Sequence, residues 1–162
     1  MIIKFTQPEL GLAINIPEKL AKKIRTHTGK HVPKEFGGVL LGNYSDDKKT
    51  ANITYVIIPS KYQNTEVSFQ WDPADVHKKI EKRYVKSDGK EIYIGEWHSH
   101  PNGSVKYSGK DIKAIQDIAN DSQVKIDSPM LLIFGAGTTM SKIGVYVYFK
   151  NKLYQYVQNK TP

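Results

Sequence analysis

Apolar residues recur along this chain with two alternating periods, and the alternation lays out its elements. The opening MIIKFTQPELGLAI reads as a first strand. Pro17, a favoured first helical position, opens a helix to about Thr28 with Leu20, Ala21 and Ile24 facing inward, and Gly29 is expected to stop it. Phe36 to Tyr44 is a continuous apolar run followed by the turn residues Ser45, Asp46 and Asp47, and Asn52 to Pro59 is the strand that pairs back with it. Asp72-Pro73-Ala74-Asp75 is a helix start, with Val76, Ile80 and Tyr84 recurring at spacing four and Asp88-Gly89 ending the run. Glu91 to Ser99 is the next strand. A loop holding Pro101, Asn102 and Gly103 leads to a third helix from about Ser108 to Asn120, striped by Ile112, Ile115, Ile118 and Ala119. Three strands close the chain, at Met130 to Phe134, Ile143 to Phe149 and Leu153 to Val157, the first two joined through the turn-rich stretch Gly135 to Thr139. With no internal repeat, low-complexity stretch or linker, the order predicts one mixed α/β domain over residues 1–162.

Composition narrows the chemistry. The chain has no cysteine, which removes a disulfide framework, a thiolate nucleophile and Cys-rich zinc knuckles, so any catalysis rests on His, carboxylates, hydroxyls or a metal held through nitrogen and oxygen. No run of about 18 apolar residues occurs, so no membrane span or membrane partner is expected. The N-terminus lacks a signal-peptide pattern, and the expected compartment is the cytoplasm. Twenty-four basic against 16 acidic residues leave a net charge of +8, which permits an acidic partner but, with the lysines scattered along the chain, fits a Lys-rich surface as well. The 10 tyrosines are not interleaved with basic residues on any one strand, which argues against a nucleic-acid partner.

The segment Glu96-Trp97-His98-Ser99-His100-Pro101 carries the most information. Alternate residues of a strand share a face, so His98 and His100 present two imidazoles side by side where Pro101 turns the chain away. Eleven residues on, Asp111 falls in the first turn of a helix, where the helix dipole favours an ionised carboxylate. Two His and one carboxylate are a ligand set of catalytic zinc, with a fourth position left open. Such a site also needs a proton acceptor and an oxyanion donor. Ser108, one turn before Asp111, could supply the second, although Ser at a cap with Asp three residues on is also a capping box. Glu35, in Glu35-Phe36-Gly37-Gly38-Val39-Leu40-Leu41-Gly42, is a candidate base that spacing alone does not put beside the metal. Glu96, on the face of the two histidines, competes for that role. His27, His31 and His77 read as surface histidines, and Trp71 and Trp97 as packing residues.

His-x-His, then seven residues, then Ser-x-x-Asp, with an upstream Glu-x-x-Gly-x-Leu-x-Gly, resembles the JAMM (MPN-plus) metalloprotease motif at every defining position, and the likeness covers nearly the whole chain. The resemblance implies an MPN, cytidine deaminase-like fold: a mixed central sheet flanked by about three helices. It implies one Zn2+ per chain held by His98, His100 and Asp111, with Glu35 as general base, Ser108 as oxyanion stabiliser and Ser99 as the small hydroxyl residue usual between the histidines. It implies a peptidase or isopeptidase acting after the tail of ubiquitin or a ubiquitin-like protein, that tail bound as an added strand beside an exposed sheet edge. The small form resembles members accompanying bacterial ubiquitin-like conjugation and antiphage signalling. It lacks the long insertions of chain-selective deubiquitinases and the appended helical region of the proteasome and signalosome members. A peptidase for a sulfur-carrier protein and a non-catalytic MPN scaffold are the alternative functions; the oligomeric state is left open.

Overall fold

In a computed structural model describing residues 1–136 and 142–160, the first half of the chain forms β1 (Ile2–Gln7), β2 (Leu12–Pro17), α1 (Glu18–His31), β3 (Gly37–Tyr44), β4 (Thr50–Ile57), β5 (Tyr62–Asn64) and β6 (Phe69–Trp71). The second half forms α2 (Pro73–Lys86), β7 (Ile92–His100), α3 (Gly109–Asn120), β8 (Met130–Gly135), β9 (Ile143–Phe149), β10 (Lys152–Gln155) and β11 (Val157–Gln158). Among the described residues no helix is long and apolar enough to cross a membrane.

Nine strands make one sheet in the order β10-β9-β8-β7-β3-β4-β2-β1-β11, and β5 and β6 form a separate hairpin. The β7–β8 pair is parallel and spans α3 as its crossover, which puts the carboxyl end of β7 beside the start of α3. Both faces of the sheet are covered, so β3 and β8 are buried almost throughout and read in sequence as unbroken apolar runs. Alternation sorts their side chains. Leu40, Leu132, Phe134 and Trp97 pack with Leu20, Ala21 and Ile24 of α1. On the other face Val39 and Leu41 meet Val76 of α2, while Leu131 and Ile133 meet Ile115 of α3. Backbones approach closely where side chains are absent. A Cβ on Gly95 would stand 2.0 Å from the Met130 carbonyl oxygen across the β7–β8 pair. Gly95→Ala is therefore expected to cost about 1–3 kcal/mol through overpacking, read as a lowered denaturation midpoint; an unchanged midpoint would contradict this packing.

Four elements differ from the pattern expected of the sequence. The opening segment is two strands, because Pro8 to Gly11 turns back with Gly11 at φ +62° and its N–H donating to the Pro8 oxygen at 3.3 Å. Helix α1 begins at Glu18 rather than Pro17, which closes β2 and stands as the cap. It runs through Gly29 to His31: that glycine is exposed with helical neighbours on both sides, and Val32, extended before Pro33, ends the helix. Tyr84 is 51% exposed rather than part of the buried stripe, because α2 meets the sheet mainly through Val76 and Ile80. The last expected strand is two, separated by Tyr156: β10 pairs with β9 and β11 with β1, so adjacent stretches of chain finish opposite edges of the sheet. The Tyr156 N–H donates to the Val145 oxygen at 2.8 Å at this crossing. The turn expected over Gly135 to Thr139 lies, beyond Ala136, outside the described residues.

Candidate metal centre

Strand β7 ends with His98 and His100 on the sheet face that α2 and α3 cover, while the alternate residues Trp97 and Ser99 are buried toward the other face. Asp111 enters from the first turn of α3, fixed by a reciprocal cap: its N–H donates to Ser108 Oγ at 3.2 Å, and the Ser108 N–H donates to Asp111 Oδ2 at 2.7 Å. The loop ahead of α3 is anchored by the Tyr146 hydroxyl, which donates to the Val105 oxygen at 2.6 Å, and by edge-to-face contact of Tyr146 with Tyr107.

These placements bring three ligand-capable side chains to one point. His98 Nε2 lies 3.1 Å from Asp111 Oδ1, His100 Nε2 lies 3.3 Å from Asp111 Oδ2, and the two Nε2 atoms are 3.2 Å apart. Ligands about 2.0–2.1 Å from a tetrahedral zinc ion stand about 3.3 Å from one another. The two imidazole nitrogens have that separation, and one ligand atom from each of the three residues lies within 4.8 Å of the others, close enough to share one ion. The donor set, two imidazole nitrogens and a carboxylate oxygen, fits zinc chemically as well. Burial pushes the Asp111 carboxyl up, but hydrogen bonds from His100 and His98 outweigh it and hold the group well below the usual carboxylate range. Asp111 in turn raises His100, chiefly by hydrogen bonding, with a further contribution from the Ser104 backbone.

The register of β3 against β7 supplies what sequence spacing lacked for Glu35. Gly37 pairs with His98, and one antiparallel step further Ser99 N–H donates to the Phe36 oxygen at 2.8 Å, so Glu35 falls opposite His100. Being two residues from Gly37, it shares the face of both histidines. Gly37 keeps the space between open, since a Cβ there would meet His98 Cβ and Phe69 Cδ1 at 3.0 Å each. Both backbone groups of Glu35 are held by the hairpin: its N–H donates to the Thr65 oxygen at 2.8 Å, and Asn64 Nδ2 donates to its carbonyl at 2.9 Å. Burial raises the Glu35 carboxyl, opposed by His98 and His100 and reinforced by Asp111.

Glu35, His98, Ser108 and Asp111 line one cleft of about 370 Å3. The Ser108 oxygen is used as a cap, which leaves its hydroxyl proton free to donate. Ser99 is fully buried, accepting the Phe36 N–H at 3.0 Å and so tying the end of β7 to the residue after Glu35. Glu96 also lines the cleft, but it accepts a hydrogen bond from the Tyr93 hydroxyl at 3.3 Å, and burial pushes its carboxyl up to about 8, which suits a proton donor at neutral pH better than a base. His27 and His31 are only partly exposed: both lie against Phe36, His31 with its ring centroid 3.9 Å away, and burial lowers both. His77 is exposed. Trp97 is a core residue, Trp71 packs on the α2 cluster, and both line the cleft. The β5–β6 hairpin, with Asn64, Thr65 and the Val67 oxygen that accepts from Lys110 Nζ at 3.2 Å, is the part of the site absent from the sequence reading. Its alternating Tyr62-x-Asn64 and Phe69-x-Trp71 were the available signal.

Residues 17–145 match the family described as prokaryotic homologs of the JAB domain. The chain belongs to the prokaryotic JAB family. Within curated proteins, 102 residues are 32% identical to a CD-NTase/cGAS isopeptidase of Enterobacter hormaechei, an alignment covering 62% of this chain and 55% of the relative, so the chain spans about half of that protein's length. A probable metalloprotease, y4qB, of Sinorhizobium fredii is 25% identical over 123 residues, 75% of each chain. The fold of this prokaryotic JAB chain is shared by the solution structure of protein DSY2949 from Desulfitobacterium hafniense, with a TM-score of 0.64 and 18% identity over 85% of this chain and 86% of that one.

Proposed function

We propose that residues 1–162 form one catalytic domain, a zinc-dependent isopeptidase that hydrolyses the bond after the C-terminal tail of a ubiquitin-like conjugate. The reading extends to deconjugation in a bacterial ubiquitin-like or antiphage signalling system, supported by the similarity to the Enterobacter isopeptidase. The observation that carries the proposal is the 3.1–3.3 Å spacing among His98 Nε2, His100 Nε2 and the Asp111 carboxylate, with Glu35 across from His100. In this reading His98, His100 and Asp111 hold the metal. Bound there, zinc supplies Lewis acidity, polarising the scissile carbonyl and acidifying water. Glu35 takes the water's proton and later passes it to the leaving amine, as a half-buried carboxylate with a raised pKa can. Ser108 donates its hydroxyl proton to the oxygen on which charge develops. The test is a reporter joined by an isopeptide bond to a ubiquitin-like tail. Cleavage between the tail and the lysine amine, lost on chelation and restored by zinc, is expected. Cleavage indifferent to chelation, or none by fully zinc-loaded protein, would reject the reading.

Acid should weaken metal binding from higher pH than an ordinary histidine would require. Hydrogen bonding to Asp111 raises His100 above the ordinary histidine value, and a ligand imidazole must be neutral, so metal binding displaces a proton. Metal affinity therefore rises with pH and falls as pH drops through the raised His100 value. Competition titrations on either side of neutrality check this, and affinity that stays constant between them would contradict it.

A further inference from the structure

The lysines look scattered along the chain, but folding gathers five cations at a groove away from the metal centre. Lys23 of α1 forms one wall, Lys79, Lys82, Arg83 and Lys86 of α2 form the other, and β4 residues from Tyr55 onward form the floor. The cavity is about 370 Å3, and no acidic side chain lines it. The four α2 cations stand at spacings of three, four and seven from Lys79, a single stripe in which like charges oppose helix formation. Two of them are neutralised: Lys79 lies 3.4 Å from Asp75 and donates to the Ile58 oxygen at 2.8 Å, and Arg83 pairs with Glu91. Lys23, Lys82 and Lys86 are exposed and form no ion pair among the described residues. Three clustered cations that form no ion pair among the described residues are complementary to an acidic external partner.

Tyr55 separates the candidate partners. Its ring already carries the Arg83 guanidinium 3.8 Å from the centroid and the Lys23 ammonium at 5.2 Å, so the groove's aromatic residue is engaged by cations rather than held open for nucleobase stacking. The groove also adjoins the root of the cleft hairpin. Lys79 Nζ donates to Ser60 Oγ at 2.5 Å, Asp75 Oδ2 accepts the N–H groups of Ser60 and Lys61, and Tyr62 opens β5 directly after. An elongated ligand in the groove would lie beside the stretch of chain that leads to the metal centre.

We propose that the α1–α2 groove is a docking surface for a carboxylate-rich peptide segment of a partner protein. This binding is independent of the hydrolase reading and is measured without catalysis. A fluorescent glutamate-rich peptide is titrated with the full chain and followed by anisotropy. It binds at low salt, loses affinity as salt screens the lysines, and binds far better than its glutamine counterpart. The double charge reversal K82E/K86E weakens binding by about tenfold, from two exposed attractions turned to repulsions. K48E/K49E makes the same change in net charge at the other end of β4 and leaves affinity within about twofold. Circular dichroism checks that both variants fold. On the unaltered protein, bound peptide shields the Lys82 and Lys86 amines from an acylating reagent while the exposed Lys113 stays reactive. Equal losses in the two charge-reversed variants, no shielding at Lys82 and Lys86, or displacement of the peptide by lower concentrations of single-stranded DNA would each overturn the proposal.

Discussion

Glu35→Gln lowers turnover by about 10²–10⁴-fold while the protein keeps its full metal content, the loss expected when a positioned general base is removed. The substitution is nearly isosteric, and the hydrogen bonds that fix residue 35 run through its backbone, its N–H to the Thr65 oxygen and its carbonyl from Asn64 Nδ2, so they survive the change. Glu35 also stands outside the trio whose nitrogen and oxygen atoms come within ligand spacing, so the metal has no reason to leave. Turnover and zinc per chain, measured on the same preparation, decide the matter. Activity close to that of the parent would remove Glu35 from the mechanism, and Glu96, on the same face of the cleft, would become the residue to test.

Asp111→Ala has the second large effect, and it acts on two quantities at once. The carboxylate is the group that contacts both imidazoles, and it also closes the cap by accepting the Ser108 N–H. Its removal takes away the carboxylate in contact with both imidazoles and unmakes half of the capping box. The capping loss should cost about 1 kcal/mol of stability without metal. With zinc at a hundred times its dissociation constant, the parent should gain about 2.7 kcal/mol, whereas the variant should gain almost nothing. Melting curves with and without zinc, together with metal content, separate the two contributions. A variant that still carries one zinc per chain would show that the histidines suffice without Asp111.

How much of this could be read from the sequence depended on how local each cause was. The His98–His100 pair, the Ser108–Asp111 cap and the α2 start at Asp72-Pro73 are set by residues within a few positions of one another, and the periodicities of strand and helix expose them directly. Glu35 sits 63 residues before His98, and only the β3–β7 register joins them, a fact of sheet pairing that no local pattern contains. The β5–β6 strands escaped because three residues each give alternation too little length to register. Gly29 misled because a glycine lowers helix propensity without forbidding helix, and buried contacts at Ile24 and Thr28 carry α1 past it. The final strand was read as one because nothing in its composition says that its two ends serve different neighbours.

That last feature makes residues 152–158 a clasp. Four residues finish one rim of the great sheet and two finish the other, with Tyr156 as the link between. The preceding turn at Lys150 and Asn151, both at positive φ and with Asn151 exposed, stands outside the core. A single proteolytic nick there would loosen both rims together, baring the outer ladders of β9 and β1. The products would be expected to self-associate edge to edge.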